Sequence, residues 1–125
     1  MKTQKQSIDE TTQWLAHESL IVYHMALKFH TAAMTLLPPR GYPNLRDQLE
    51  RASLSVVLNI AEGAGRQSLP DRRKFFTIAM GSLLESGAIL DVLRKRRLAD
   101  PTRCRNGRHY LICLAGMLRR LATPG

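Results

Sequence analysis

Apolar residues recur every three or four positions through most of the chain, which is the spacing of one face of an α-helix. Proline and glycine interrupt this pattern near residues 38–43, 63–70 and 100–101, and such clusters mark turns. The pattern therefore predicts four helices joined by short connections. Short connections favour sequential helices that pack antiparallel.

The residues at the breaks predict where each helix begins and ends. We expect helices over Thr12–Leu36, Asn44–Ala64 and Leu69–Arg97, and a fourth that begins at Pro101. Ser68 and Asp100 are good N-caps, and proline is tolerated in a first turn. Gly63 and Gly65 are expected to end the second helix, one of them with a positive φ. The Asn106-Gly107 pair is expected to kink the fourth helix or delay its start.

The second predicted helix carries two apolar stripes and is therefore apolar on two sides. The first comprises Leu45, Leu49, Ala52, Val56 and Ile60, and the second comprises Leu54, Val57, Leu58 and Ala61. A helix that is apolar on two sides contacts more than one neighbour, either inside the bundle or across a subunit boundary.

These features together predict an all-α protein, an up-down antiparallel four-helix bundle. The chain has 125 residues, which is the length of one domain with one sizeable core. We assign residues 12–123 to this domain. Residues 1–11 form a tail that is either disordered or an extension of the first helix, since residues 7–10 have the form of a capping box. Trp14 is expected to pack at the end of the bundle or in a subunit contact.

A polar seam runs through the apolar second and third helices at steps of three and four residues. It comprises Arg51, Ser55, Asn59, Glu62 and Arg66 on the second helix, and Lys74, Ser82 and Glu85 on the third. Antiparallel packing about the loop near residue 68 predicts three pairs: Arg51 with Glu85, Ser55 with Ser82, and Glu62 with Lys74. We interpret the seam as architectural, because charges that face each other on a half-buried surface should pair. The alternatives are a binding groove that uses Asn59, Glu62 and Arg66, or a catalytic site.

The net charge of +9 is concentrated in the last third of the chain. Nine basic residues and one carboxylate, Asp100, lie between Arg94 and the C-terminus. The candidate nucleic-acid-binding residues are Arg94, Lys95, Arg96, Arg97, Arg103, Arg105 and Arg108, followed by a second group of Arg66, Arg72, Arg73 and Lys74. Such a charge distribution attracts polyanions. The alternative is a charge that only keeps the protein in solution.

No catalytic, metal-binding or cofactor-binding motif is apparent in the sequence. His17 and His24 lie seven residues apart on a helix, too far for one metal ion. The Gly-x-Gly of residues 63–65 follows no strand and lacks the lysine of a phosphate-binding loop. We therefore predict a protein that is not an enzyme and that needs no cofactor.

The sequence also predicts a cytoplasmic protein that does not contact a membrane. Cys104 and Cys113 lie nine residues apart on opposite sides of one helix, so they cannot bridge each other there and are interpreted as reduced thiols. No apolar run approaches the roughly 20 residues of a membrane span, and residues 1–14 lack the apolar core of a signal peptide.

Two motifs resemble a known family. The segments "RASLSVVLNIAEGAGR" (51–66) and "FFTIAMGSLLE" (75–85) are similar to the signature of four-helix-bundle proteins encoded in 23S rRNA intervening sequences. The resemblance implies an up-down bundle and a homo-oligomer, a pentamer. A more distant similarity is to the accessory variability determinant of diversity-generating retroelements, which implies a basic pentamer that works with a reverse transcriptase and nucleic acid.

The functional expectation combines the charge with this resemblance. We expect a non-catalytic, oligomeric binding or scaffold protein that contacts RNA or DNA phosphates with little reading of sequence. The alternative is a protein–protein adaptor whose positive charge is only solubilising.

Overall fold

The computed structural model describes residues 21–123, whose regular structure is entirely α-helical. The helices are α1 (residues 21–34), α2 (Pro43–Ala64), α3 (Leu69–Lys95) and α4 (Pro101–Ala122). The predicted tail, Trp14, His17 and the first part of the predicted first helix lie outside the described residues. The prediction of an all-α, four-helix arrangement is confirmed.

Contacts between successive helices show that the bundle is antiparallel. Ser55 meets Ser82, while Gly63, further along α2, meets Phe76, which lies earlier on α3. In the same way Gly87 of α3 meets Leu111 of α4, and Leu90 meets Gly107. The helix α1 is joined to α2 by a hydrogen bond between His30 and Ser53, and it lines shared hollows with α4. These contacts complete an up-down bundle.

The predicted apolar faces meet in one core between the four helices. Phe29, Ile60, Leu83 and Leu114, one from each helix, are fully buried. Each such side chain stabilises the folded state by about 1.5–3 kcal/mol relative to an exposed one. The second apolar stripe of α2 is only partly buried: Val57 lies in the core, whereas Leu54 and Leu58 are exposed.

In the connection from α2 to α3, one prediction about the glycines is wrong. Ala64 ends α2 and Gly65 caps it with a φ of −84°, in the right-handed region. Neither Gly65 nor Gly63 has a positive φ, so that expectation is wrong. Gly63 is needed for space instead, because an added Cβ would lie 2.8 Å from Phe76 Cε1. The cap of the next helix is as predicted: the Ser68 hydroxyl accepts a hydrogen bond from the Asp71 amide at 3.2 Å.

The end of α3 lies two residues before the predicted one. Arg97 adopts a φ of 56°, in the left-handed region. The Leu98 amide then donates to the Leu93 carbonyl at 2.8 Å, and the Arg97 amide donates to the Arg94 carbonyl at 3.1 Å. This pair of bonds is a Schellman motif, which ends a helix by turning the chain.

The helix α4 is continuous through Asn106 and Gly107, so the predicted kink or late start is wrong. The Asp100 carboxylate caps it by accepting from the Arg103 amide at 3.0 Å, as predicted. Gly107 is buried, and a Cβ there would lie 3.2 Å from Leu36 Cδ1. Packing explains the difference, because a glycine that lets two elements approach closely can repay its low helix propensity of about 1 kcal/mol.

The helix α3 is more apolar than a one-sided surface helix. By length and composition alone, α3 would fit a membrane span. A core helix of a soluble bundle fits the same description, and α3 does contribute Phe76, Leu83 and Leu93 to the core. However, Ile78, Leu84 and Val92 are exposed, so α3 also presents apolar side chains outward.

Candidate nucleic-acid interface

The centre of the polar seam is the part that the sequence predicted correctly. The Ser55 and Ser82 hydroxyl oxygens lie 2.7 Å apart and share a hydrogen bond between α2 and α3. The Asn59 amide donates to the Ser55 hydroxyl at 3.0 Å and to the Ser55 carbonyl at 2.9 Å. The Ser55–Ser82 contact confirms the predicted register of α2 against α3, and Asn59 supports it from α2.

The predicted ion pairs across the seam are wrong. Arg51 is 77% exposed and pairs with Asp47 at 3.5 Å, on its own helix, and not with Glu85. Glu62 likewise pairs with Arg66 at 2.9 Å and not with Lys74. Partners four residues apart on one helix are already neighbours. Because exposed charges keep most of their hydration, pairing across the seam to the other helix would gain them little. Glu85 is exposed and makes no ion pair within residues 21–123.

One serine and one histidine lie close enough to resemble a nucleophile and its base. His30 Nδ1 is 2.8 Å from the Ser53 hydroxyl. Ser53 is fully buried and also donates to the Glu50 carbonyl at 3.3 Å, so its hydroxyl is out of reach of a substrate. The pair is a structural hydrogen bond that joins α1 to α2. Within the described part of the chain, no group of three or more histidine, cysteine or acidic residues could hold a metal ion.

The two cysteines are free thiols in different surroundings. Burial raises the pKa of the Cys104 thiol above its ordinary value, and the nearby Arg94 opposes this shift only in part. The Cys104 thiol therefore stays protonated at neutral pH and acts as a small apolar side chain. Cys113 is half-buried, with its sulfur 4.0 Å from His109 Nε2.

Seven of the predicted binding residues are brought together where α3 ends and α4 begins. We call these residues the α3–α4 basic cluster: Arg94, Lys95, Arg96, Arg97, Arg103, Arg105 and Arg108, all of which are exposed. The short connection between the two helices places both sets at one end of the bundle. Arg94, Arg105 and Arg108 also surround a depression of about 50 Å³.

Few carboxylates oppose this cluster. Asp91 approaches Arg94 at 3.9 Å, and the Asp100 carboxylate is occupied as the cap of α4. Arg96 lies over the Tyr42 ring, 5.2 Å from its centroid. Arg97 and Arg108 have no carboxylate partner among the described residues. Their guanidinium groups are therefore available to an external anion.

The second predicted group lies at the opposite end of α3, and two of its four members have partners within the protein. We call Arg66, Arg72, Arg73 and Lys74 the α2–α3 basic cluster. Arg66 pairs with Glu62 and lies over the Phe75 ring, 4.8 Å from its centroid. The Arg72 side chain donates to the Arg66 carbonyl. About 20 residues of helix, or roughly 30 Å, separate this group from the first, so the two form separate patches.

The structure also shows a groove, lined by both apolar and polar residues, that the sequence reasoning missed. We call it the α1–α4 groove; its described lining comprises His24, Leu27, Lys28, Thr31 and Ala32 on α1, Thr35 in the turn after α1, and Arg103, Asn106, His109 and Tyr110 on α4. His24, Lys28, Thr31 and Thr35 follow one another at steps of four, three and four, which is a polar stripe at helical spacing. That stripe was the available signal, but only the packing of α1 beside α4 shows what faces it.

The fold and these surfaces define the class: a basic four-helix bundle whose largest described group of cations lies where α3 ends and α4 begins. The sequence matches the 23S rRNA-intervening sequence protein family over residues 18–120, and the chain belongs to this family. A comparison with curated proteins finds no match. The family resemblance carried by residues 51–66 and 75–85 is thus confirmed. The more distant similarity to the accessory variability determinant of diversity-generating retroelements stays a prediction.

Proposed function

We propose that this protein is a non-catalytic, oligomeric binding protein whose α3–α4 basic cluster contacts RNA or DNA phosphates. The observation that carries the proposal is the gathering of seven exposed cations from two helices around few carboxylates. Arginine forms paired hydrogen bonds with phosphate oxygens. Contacts of this kind position a nucleic acid without reading its sequence, so we expect little sequence preference.

The oligomer is supported by apolar side chains on the outside of α2, α3 and α4. Leu58, Leu84 and Ile112 are 56%, 60% and 57% exposed. Further copies of the chain would cover these side chains and remove their apolar surface from water. The family resemblance implies a pentamer. Such an assembly would present several basic clusters to one nucleic acid and raise its avidity.

The proposed location is the cytoplasm. The two free thiols suit a reducing compartment. In this proposal the apolar outer side of α3 is covered by other protein chains, so no membrane contact is needed.

A salt titration tests the nucleic-acid proposal. Fluorescence anisotropy would follow a labelled RNA or DNA of about 20 nucleotides while salt rises from about 50 to 200 mM. We expect tight binding at low salt, with the logarithm of affinity falling linearly with the logarithm of salt concentration. Replacing Arg105 and Arg108 by Gln should lower the magnitude of that slope by about 2.

The matched control removes the same charge elsewhere on the same helix. Arg119→Gln with Arg120→Gln changes two exposed arginines near the C-terminal end of α4. This variant should keep most of the affinity. If both double variants lose affinity equally, the α3–α4 basic cluster is not the site.

The alternative is a protein–protein adaptor whose charge only solubilises it. The exposed Leu54 and Leu58 on α2 favour it, because they offer an apolar surface to a partner. Absence of nucleic-acid binding at about 50 mM salt, together with a monomeric protein, would support this alternative against the main proposal.

A further inference from the structure

The α1–α4 groove has the size of a nucleotide-binding surface. It consists of two open hollows of about 480 and 460 Å³ that share Ala32, Thr35 and Tyr110 and therefore merge. From His24 to Thr35 the groove follows α1 and the start of the turn after it over eleven residues, or about 17 Å. That length accommodates about five nucleotides at the 3.4 Å spacing of a stacked strand, and fewer if the strand is extended.

Aromatic rings lie along this groove. Tyr110 is half-buried and lines both hollows, so it occupies their junction. His109 lies beside it, with ring centroids 6.4 Å apart and planes tilted by 60°. At the other end, His24 makes an edge-on contact with Tyr23 at 5.8 Å. Aromatic faces in an open groove can stack on unpaired bases of any sequence.

The remaining groove residues suit a nucleic-acid backbone and its bases. Lys28 and Arg103 supply positive charge, and none of the described lining residues is acidic. The Asn106 side chain supplies a donor and an acceptor for a base edge. The groove therefore combines stacking surfaces, cations and hydrogen-bonding groups, as single-strand-binding surfaces do.

The groove is also continuous with the α3–α4 basic cluster. Arg103 belongs to that cluster and lines the groove as well. A strand held by its phosphates at the cluster could therefore continue past Arg103 to Tyr110. A duplex has its bases stacked inside and cannot offer them to Tyr110, so the groove favours a single strand.

We propose that the α1–α4 groove binds a single-stranded segment of RNA or DNA, with one base stacked on Tyr110 and the backbone held by Lys28 and Arg103. This inference rests on the proposed function and specifies its ligand. The α3–α4 basic cluster supplies affinity for any nucleic acid, and the groove adds a preference for unpaired strands.

Substitutions at Tyr110 test the stacking directly. Anisotropy would compare a labelled single strand of about 12 nucleotides with the duplex of the same sequence, at low salt. Tyr110→Leu keeps an apolar side chain but removes the ring, and it should weaken single-strand binding about tenfold. Tyr110→Phe keeps the ring and should bind within about twofold of the original protein. Duplex binding should be the same in all three proteins.

A crosslinking experiment locates the strand without any substitution. A single strand that carries 4-thiouracil bases would be irradiated on the original protein, and the crosslinked peptides identified by mass spectrometry. Crosslinks on the α1–α4 groove, at Tyr110 or His109, are the expected result.

The outcomes separate this inference from the proposed function. If Tyr110→Leu weakens single strands and duplexes equally, or neither, or if crosslinks fall only on the α3–α4 basic cluster, the groove proposal is overturned while the proposed function stands. If neither form of nucleic acid binds at low salt, both proposals fail.

Lys28→Gln, at an exposed residue, covers the case in which Tyr110→Leu does not fold. It should weaken single-strand binding and lower the magnitude of the salt slope by about 0.7. An unchanged slope would overturn the groove proposal.

Discussion

Two helical glycines, Gly63 and Gly116, have opposite surroundings. Gly63 is buried, and a Cβ there would lie 2.8 Å from Phe76 Cε1 and 3.2 Å from the Arg72 carbonyl oxygen. Phe76 is itself 2% exposed, so its ring has little room to move. Gly116 is exposed in α4 and an added Cβ would meet nothing within 4 Å. Only the first glycine is required by packing.

Substituting alanine at the two positions should therefore change stability in opposite directions. We expect Gly63→Ala to lower the free energy of unfolding by about 1–3 kcal/mol, because the Phe76 ring or the α3 backbone must shift. We expect Gly116→Ala to raise it by about 0.5–1 kcal/mol, since alanine loses less backbone entropy in a helix. Urea unfolding followed by circular dichroism measures both, and a change of the same sign in the two variants would contradict this account.

Side-chain length explains which seam contacts were predictable. Serine is short, so Ser55 can reach only what the register places opposite, and Ser82 was correctly predicted. Arg51 is long and flexible, and its partner depends on small differences in solvation that the register does not fix. It therefore pairs with Asp47 and not with the predicted Glu85.

At the scale of helices, α3 ends in a backbone conformation that does not favour the residue found there. Arg97 takes the left-handed conformation that glycine usually occupies at this position of a Schellman motif. A residue with a Cβ costs roughly 1–2 kcal/mol there. The same arginine belongs to the α3–α4 basic cluster. We infer that its charge is kept for the proposed phosphate contact, although glycine would suit this backbone conformation better.

Replacing Arg97 by glycine should separate stability from binding. Arg97→Gly should raise the free energy of unfolding by about 1 kcal/mol while it weakens nucleic-acid binding and lowers the salt slope by about 0.9. The control is Arg96→Gly, whose φ of −86° gives glycine no such advantage. Thermal unfolding and the anisotropy titration measure the two effects. A stability loss in Arg97→Gly as large as that in Arg96→Gly would be the opposing result.

Helix starts were more predictable than helix interiors. Ser68 and Asp100 make the predicted caps, and α2 begins within one residue of the expected position. Cap bonds are local, so neighbouring residues are enough to infer them. The continuity of α4 at Gly107 depends on Leu36 and Leu90, which are distant in sequence. Helix propensity depends only on the residue and its near neighbours, so it does not take those contacts into account.

At the scale of the whole molecule, charge and apolar surface respond oppositely to salt. Each chain carries a net charge of +9, so copies repel one another at low ionic strength. Salt screens that repulsion and leaves apolar contacts intact, so self-association should strengthen as salt rises. Binding to nucleic acid should weaken over the same range, because the release of counterions into a more concentrated salt solution gains less entropy.

Sedimentation velocity tests the proposed assembly. We expect the original protein to sediment as an oligomer, more completely at about 500 mM than at about 50 mM salt. Leu84→Ser, on the exposed outer side of α3, should shift it towards the monomer. Leu69→Ser is the control, because Leu69 is similarly exposed, at 52%, but lies at the first residue of α3. A monomer at every salt concentration, or equal effects of the two changes, would argue against this interface.

The sequence by itself determined the four helices, the N-caps Ser68 and Asp100, the core faces and the register at Ser55 and Ser82. Those features depend on residue spacing and on groups that have only one partner within reach. The tertiary structure decided which apolar residues stay exposed, where the long charged side chains pair, and that α1 and α4 face each other across Tyr110. The reason is physical: these properties depend on residues far apart in sequence, and the free-energy differences between their alternatives are small beside those that form a helix or bury a core.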